Sequence, residues 1–107
     1  YILDTSTGME LVYNDAALDR LEVDSSFSHG LSNTVVASYR GRIQLLRAAL
    51  DERDLKAMTC LRYRSLPSRS RQHHSIRIDD KHRLIVEVLH LSGKALLKIL
   101  ELQTDER

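Results

Sequence analysis

HHSIRIDDKHRLIVEV, residues 73–88, is the stretch of this 107-residue chain that decides its fold. Its first half alternates polar and apolar residues (Ser75, Ile76, Arg77, Ile78). Its second half is an apolar, β-branched run (Leu84, Ile85, Val86, Val88), with Asp79, Asp80 and Lys81 between the two. Two such runs around a polar turn predict a β-hairpin. A loop over Asp79 to Lys81 sets Ile78 opposite His82, Arg77 opposite Arg83 and Ile76 opposite Leu84. One face of the hairpin is then mostly apolar and the other carries two arginines. Like charges directly opposed across strands repel, so this pair must either splay into water as a solvated polar face or meet an anion. Phosphate is the anion that best matches a guanidinium fork.

Upstream of the hairpin, Leu61 to Leu66 alternates apolar and basic residues and predicts a strand with Arg62 and Arg64 on one face. Pro67 to Gln72 is a loop by composition. Downstream, Leu91-Ser92-Gly93 makes a turn into Lys94 to Leu102. The run ALLKILEL would serve as a helix in isolation, but a lone hairpin needs more pairing, and the run is read as a strand. Toward the N-terminus, Met9 to Tyr13 predicts the first strand, and Asn14 or Asp15 caps a short helix through Ala16, Leu18 and Leu21. Glu22 to Gly30 reads as a loop.

The longest helix is predicted over about Thr34 to Leu50, capped by Ser32 or Asn33, with Val35, Val36, Tyr39, Ile43, Leu46 and Leu50 in one stripe. Arg40, Arg42, Gln44 and Arg47 fall mainly off that stripe and read as its wet face. Asp51, Glu52 and Asp54 open a further short helix ending near Met58, where acidic groups favour the positive end of the dipole. Val36, Leu46, Ile76 and Val86 are the expected buried residues.

Composition (42% apolar, 29% charged) is that of a soluble globular domain with a single core. Residues 9–107 read as that domain, with Met9 as a natural start and the polar residues 1–8 as an appended or upstream leader. No apolar run approaches the roughly 20 residues of a membrane span, and the N-terminus lacks the pattern of a secretory signal. The lone Cys60 excludes an internal disulfide, fits a reducing cytoplasm and reads as a small core residue.

Net charge is only +1, yet Arg62 to Arg83 holds seven basic residues against Asp79 and Asp80, leaving nine basic and 13 acidic residues elsewhere. This asymmetry fits a surface that meets phosphate, or one that binds an acidic protein. There is no Gly-rich phosphate loop, no nucleophile elbow and no Cys/His metal pattern, so neither a metal nor a cofactor is expected. His73, Ser75 and Arg77 share a face that Arg83 joins from the next strand. An imidazole beside arginines is held in its neutral, basic form. A base, an acid and a cation are what cleavage of RNA through its own 2′-hydroxyl requires.

The order strand, helix, long helix and hairpin, with SIRIDDKHRLIVEV at its centre, resembles the HigB branch of the RelE/ParE toxin superfamily. The hairpin is similar to that family's SIRINDQWRLxF pattern, and LRAALDERDL to the end of its second helix and the segment after it. The resemblance implies an α+β fold, with two packed N-terminal helices on a curved antiparallel β-sheet. It implies cleavage of mRNA on the translating ribosome, a HigA-like helix-turn-helix antitoxin as partner, and operator DNA reached only through that antitoxin. Arg83 falls on the family's catalytic strand arginine, and Arg64 stands where relatives often carry histidine or lysine. The family's LKGDREG-like loop is here Leu66 to Gln72, with Pro67 for its lysine and Ser70 for its arginine. Its closing aromatic-histidine pair falls near Asp105 and Glu106.

The catalytic expectation is therefore Arg83, His73 and Arg64, with Arg62, Arg69, Arg71 and Arg77 on RNA. Two other readings stay open: a homologue whose chemistry has decayed, acting only through its antitoxin and operator, and a ParE-like inhibitor of DNA gyrase.

Overall fold

The computed structural model describes residues 9–24, 26–66, 73–91 and 94–104, with the backbone alone at Leu91 and Lys94. Strand β1 (Glu10–Tyr13) leads into helix α1 (Ala16–Val23), then α2 (Asn33–Ala48) and α3 (Glu52–Ala57). A 3₁₀ turn at Thr59–Leu61 precedes β2 (Arg64–Ser65), β3 (His73–Arg77), β4 (His82–Leu91) and β5 (Lys94–Thr104). The sheet order is β1-β5-β4-β3-β2. β2 to β5 pair antiparallel, while β1 runs parallel to β5, so the sheet is mixed. The connection from β1 runs through the helices, which lets the first strand lie beside the last with the same polarity.

The hairpin has the predicted register. Ile76 faces Leu84 and Arg77 faces Arg83, and the Ile78 amide donates to the His82 carbonyl at 2.9 Å. Ile76, Ile78, Leu84, Val86 and Val88 join one buried cluster with Leu97 and Ile99 of β5 and with Val36, Tyr39, Ile43 and Leu46 of α2. All four expected core residues are buried, Val36 at 5% exposure and the other three at 0%.

The C-terminal run is a strand, longer than expected, and the reason for its helical look is visible. A bulge shifts the register between Ile85 and Val86, so that Ile85 faces Glu101 while Val86 faces Ile99. Leu100 is the extra residue, and it moves Leu102 onto the core face with Leu97 and Ile99. Their spacing of two and then three imitates a helix period.

Helices α1 and α2 both start where expected. Asp15 caps α1 by accepting from the Ala17 amide, and Ser32 caps α2 by accepting from the Val35 amide. α1 continues into the expected loop as far as Val23. α2 stops at Ala48, short of Leu50, because backbone groups after it find other partners. The Met9 amide donates to the Ala49 carbonyl and Asp54 accepts from the Leu50 amide. Leu50 is consequently 57% exposed and lies off the core stripe.

The arginines of α2 are not simply a wet face. Arg40 donates to the Leu21 and Asp24 carbonyls and satisfies the open end of α1. Arg42 donates to the Arg77 carbonyl, tying α2 to the end of β3. Arg47 forms a two-pronged pair with Glu22 of α1, 2.8 Å at each contact. Cys60 is exposed in the 3₁₀ turn rather than buried, since Leu61 fills the inward position there.

The Arg47 fork holds the Glu22 carboxyl below its ordinary range; burial opposes this, and the Tyr13 hydroxyl, which also donates to Glu22, reinforces it. A carboxyl with a depressed folded-state pKa stabilises the fold above its ordinary range, and the contribution is lost as pH falls through the folded value. Because Arg47 is about half exposed, we expect Glu22→Gln to cost about 1 kcal/mol at pH 7. Urea midpoints measured from pH 7 down to about 3 should fall less steeply in the variant than in the parent; parallel curves would refute the assignment.

Candidate nucleic-acid interface

Cross-strand partners share a face, and the registers Arg64 with Ser75 and Arg77 with Arg83 set these four residues on the face opposite the core. A cleft of about 170 Å³ opens there at the hairpin end. Arg62, Arg64, Arg77, Lys81 and Arg83 line it as cations, together with Ser75, His82 and the acids Asp79 and Asp80.

The segment carrying Arg62 and Arg64 is not the strand the sequence predicts. The chain makes the 3₁₀ turn first, and Arg62 ends it in the left-handed conformation at φ 47° and ψ 49°. Among the described residues, Arg64 and Ser65 pair with β3, and the Leu66 amide donates to the His73 carbonyl at 2.8 Å. Both arginines nonetheless reach the cleft, and Tyr63 between them turns inward. Its ring stacks on His74 at 4.5 Å, and its hydroxyl donates to Glu52 of α3 at 2.9 Å. That contact fixes the arginine-bearing segment to the edge of β3.

The repulsion between the opposed Arg77 and Arg83 is relieved in the turn. Arg77 leans onto the Asp80 carboxylate in the turn, leaving Arg83 across from a partly neutralised neighbour. Arg83 is half-buried, with Gln103 of β5 as its other cross-strand neighbour. A half-buried guanidinium on a rigid central strand is well suited to hold a phosphate at fixed distance.

His73 shares the outer face but does not line the cleft. It lies two residues from Ser75, opposite Glu87, whose carboxylate stands 3.8 Å from its Nε2. Its Nδ1 is buried and has no hydrogen-bond partner among the described residues. The expected imidazole among arginines is therefore an imidazole beside a carboxylate. Arg69 and Arg71 lie outside the described residues, as do Pro67, Ser70, Asp105 and Glu106.

The histidine at the cleft is one the sequence reading passed over. A single oxygen of Asp79, Oδ1, accepts from the Lys81 amide at 2.8 Å, the His82 amide at 2.8 Å and the His82 Nδ1 at 2.9 Å. Burial raises the Asp79 pKa, but these donors outweigh it and hold the group below its ordinary range. Strand alternation assigns His82 to the core side with Leu84, away from the face that carries Arg77 and Arg83. An Asp-x-x-His spacing across a predicted hairpin turn is the signal that could have found it. Among the described residues there is no group of three or more potential ligands that could hold a metal ion, and no helix is long and apolar enough to cross a membrane.

Helices packed on one face of a five-stranded mixed sheet, with a basic cleft on the other, define a RelE/ParE-like toxin fold. The chain is similar in structure to a YoeB/ParE toxin from Agrobacterium tumefaciens, with a TM-score of 0.56 and 17% identity, over 92% of this chain and 100% of that one. No family model matches the sequence, and no curated protein matches it.

Proposed function

We propose that this chain is the toxin of a toxin–antitoxin pair and an endoribonuclease that cuts mRNA on the translating ribosome, in the manner its HigB-like hairpin implies. The observation that carries the reading is the convergence of five cations on one cleft around Arg83. In the proposed reaction the 2′-hydroxyl attacks the adjacent phosphorus, and Arg83 neutralises the charge that develops on the phosphoryl oxygens. Arg64 supplies a second contact to the same phosphate. Arg62, Arg77 and, by charge, Arg69 and Arg71 hold the flanking backbone. His73 sits beyond the cleft beside Glu87, so the reading rests on Arg83 and Arg64 rather than on that imidazole. A HigA-like antitoxin would cover the basic face and carry the pair to operator DNA, and access to ribosomes implies a cytoplasmic protein.

Primer extension on an mRNA under translation in a purified system tests this directly. The expected result is discrete cuts that disappear when ribosomes are omitted. A folded, antitoxin-free chain that makes none would overturn the reading, and cleaved gyrase–DNA complexes with mRNA intact would replace it with gyrase inhibition.

The RNA contacts make their own prediction. Each phosphate contact to single-stranded RNA contributes about 0.7 to the slope of log affinity against log salt. Arg62→Ala should reduce that slope by about this amount, measured with an oligonucleotide carrying a 2′-deoxy substitution at the cut. An unchanged slope would remove Arg62 from the interface.

A further inference from the structure

The cleft contains a histidine whose proton is already positioned by a carboxylate. Asp79 Oδ1 can only accept, so at 2.9 Å it fixes the ring proton of His82 on Nδ1. In the neutral ring this leaves the Nε2 lone pair unprotonated, and among the described residues nothing bonds to it. The ring is 13% exposed and belongs to the same cleft as Arg83. The backbone holds the arrangement rigidly, because the same Asp79 oxygen accepts the Lys81 and His82 amides and so closes the hairpin turn. A carboxylate on one ring nitrogen and a reacting group on the other is the general architecture by which proteins orient an imidazole for proton transfer.

We propose that His82, oriented by Asp79, is the proton-transfer residue of the cleft, a role that rests on the endoribonuclease reading above. His82 Nε2 removes the proton of the 2′-hydroxyl as the 2′-oxygen bonds to phosphorus. The bond from phosphorus to the 5′-oxygen breaks, and that oxygen takes a proton from water. The products are a 2′,3′-cyclic phosphate and a 5′-hydroxyl, and the Asp79 carboxylate stabilises the imidazolium that forms. Charged groups on the surrounding elements are Asp79, Asp80 and Lys81 of the turn, Arg77 of β3, Arg83 of β4, Arg64 of β2, Arg62 at the end of the 3₁₀ turn and Arg42 of α2. Thr104, opposite His82 in β5, carries none.

The test compares the parent chain, His82→Gln and Asp79→Asn for single-turnover mRNA cleavage on programmed ribosomes, from about pH 5.5 to 8.5. His82→Gln should cleave about 10²- to 10³-fold more slowly, with an unchanged circular dichroism spectrum. A rise of the parent's rate with pH should be missing from the variant's residual rate. Asp79→Asn keeps an oxygen for the two turn amides but loses the charge, and should slow cleavage about tenfold or more. A His82→Gln chain that cuts within threefold of the parent, or whose residual rate keeps the same pH limb, overturns the proposal. A parent chain that does not cut overturns the endoribonuclease reading instead, so the two failures are distinguishable.

Discussion

Replacing Arg83 by alanine should lower the single-turnover rate of ribosome-dependent mRNA cleavage by about 10²- to 10³-fold, the typical loss when one preorganised charge donor is withdrawn from a transition state. Arg83 stands on a central strand, opposite Arg77 on one side and Gln103 on the other. Its backbone is thus held by the sheet rather than by a loop, and little reorganisation of the main chain is needed as charge develops on the phosphate. The loss should appear in the rate at saturating substrate more than in binding, because on the proposed reading the other four cations lining the cleft would still hold the RNA backbone. Arg83→Lys keeps the charge but replaces a planar fork by a single point donor, and should recover only part of the rate. Stability should change little, since the side chain is only half-buried and lies on the face opposite the core. Cleavage by Arg83→Ala within threefold of the parent would show that the phosphate is held elsewhere in the cleft.

The elements that the sequence makes legible are those with one dominant local signal. The hairpin register follows from its alternation and a three-residue turn, and α2 follows from a serine cap and a stripe at helical spacing. What escapes is set by contacts distant in sequence. Leu50 continues the stripe by spacing but leaves it in the fold, because Met9 and Asp54 claim the backbone groups that another helical turn would use. Arg62 and Arg64 alternate like strand residues, yet the segment is fixed by Tyr63 reaching His74 and Glu52.

The site divides in the same way. Arg77 and Arg83 could be assigned to one face from the hairpin's parity, whereas Arg62 and Arg64 could be assigned only to a common face of their own segment. The histidine could not be, because parity sends His82 inward and His73 outward. A turn contact three residues away then brings His82 to the cleft, while Glu87 across the sheet takes His73.

The largest stability contrast is expected between two leucines of one apparent stripe. Leu46 is fully buried on α2 at 0% exposure and packs in the cluster that includes Ile76, Leu84 and Val86 of the sheet. Truncating it to alanine removes its transfer free energy and leaves a cavity in the core that α2 shares with the sheet, which relaxes only in part. The cost should be about 3–5 kcal/mol. That is a large share of the roughly 5–15 kcal/mol available to a domain of this size, and it should lower the melting temperature by more than about 10 °C. Leu50, only four residues on, is 57% exposed, and Leu50→Ala should cost no more than about 0.5 kcal/mol. The chemistry of the two substitutions is identical, so the difference reports where α2 stops rather than how apolar the residue is. Urea titrations of both variants measure it directly. Equal costs would mean that the helix continues through Leu50 onto the sheet, and with it the packing that holds β3 and β4 beneath the basic cleft would have to be redrawn.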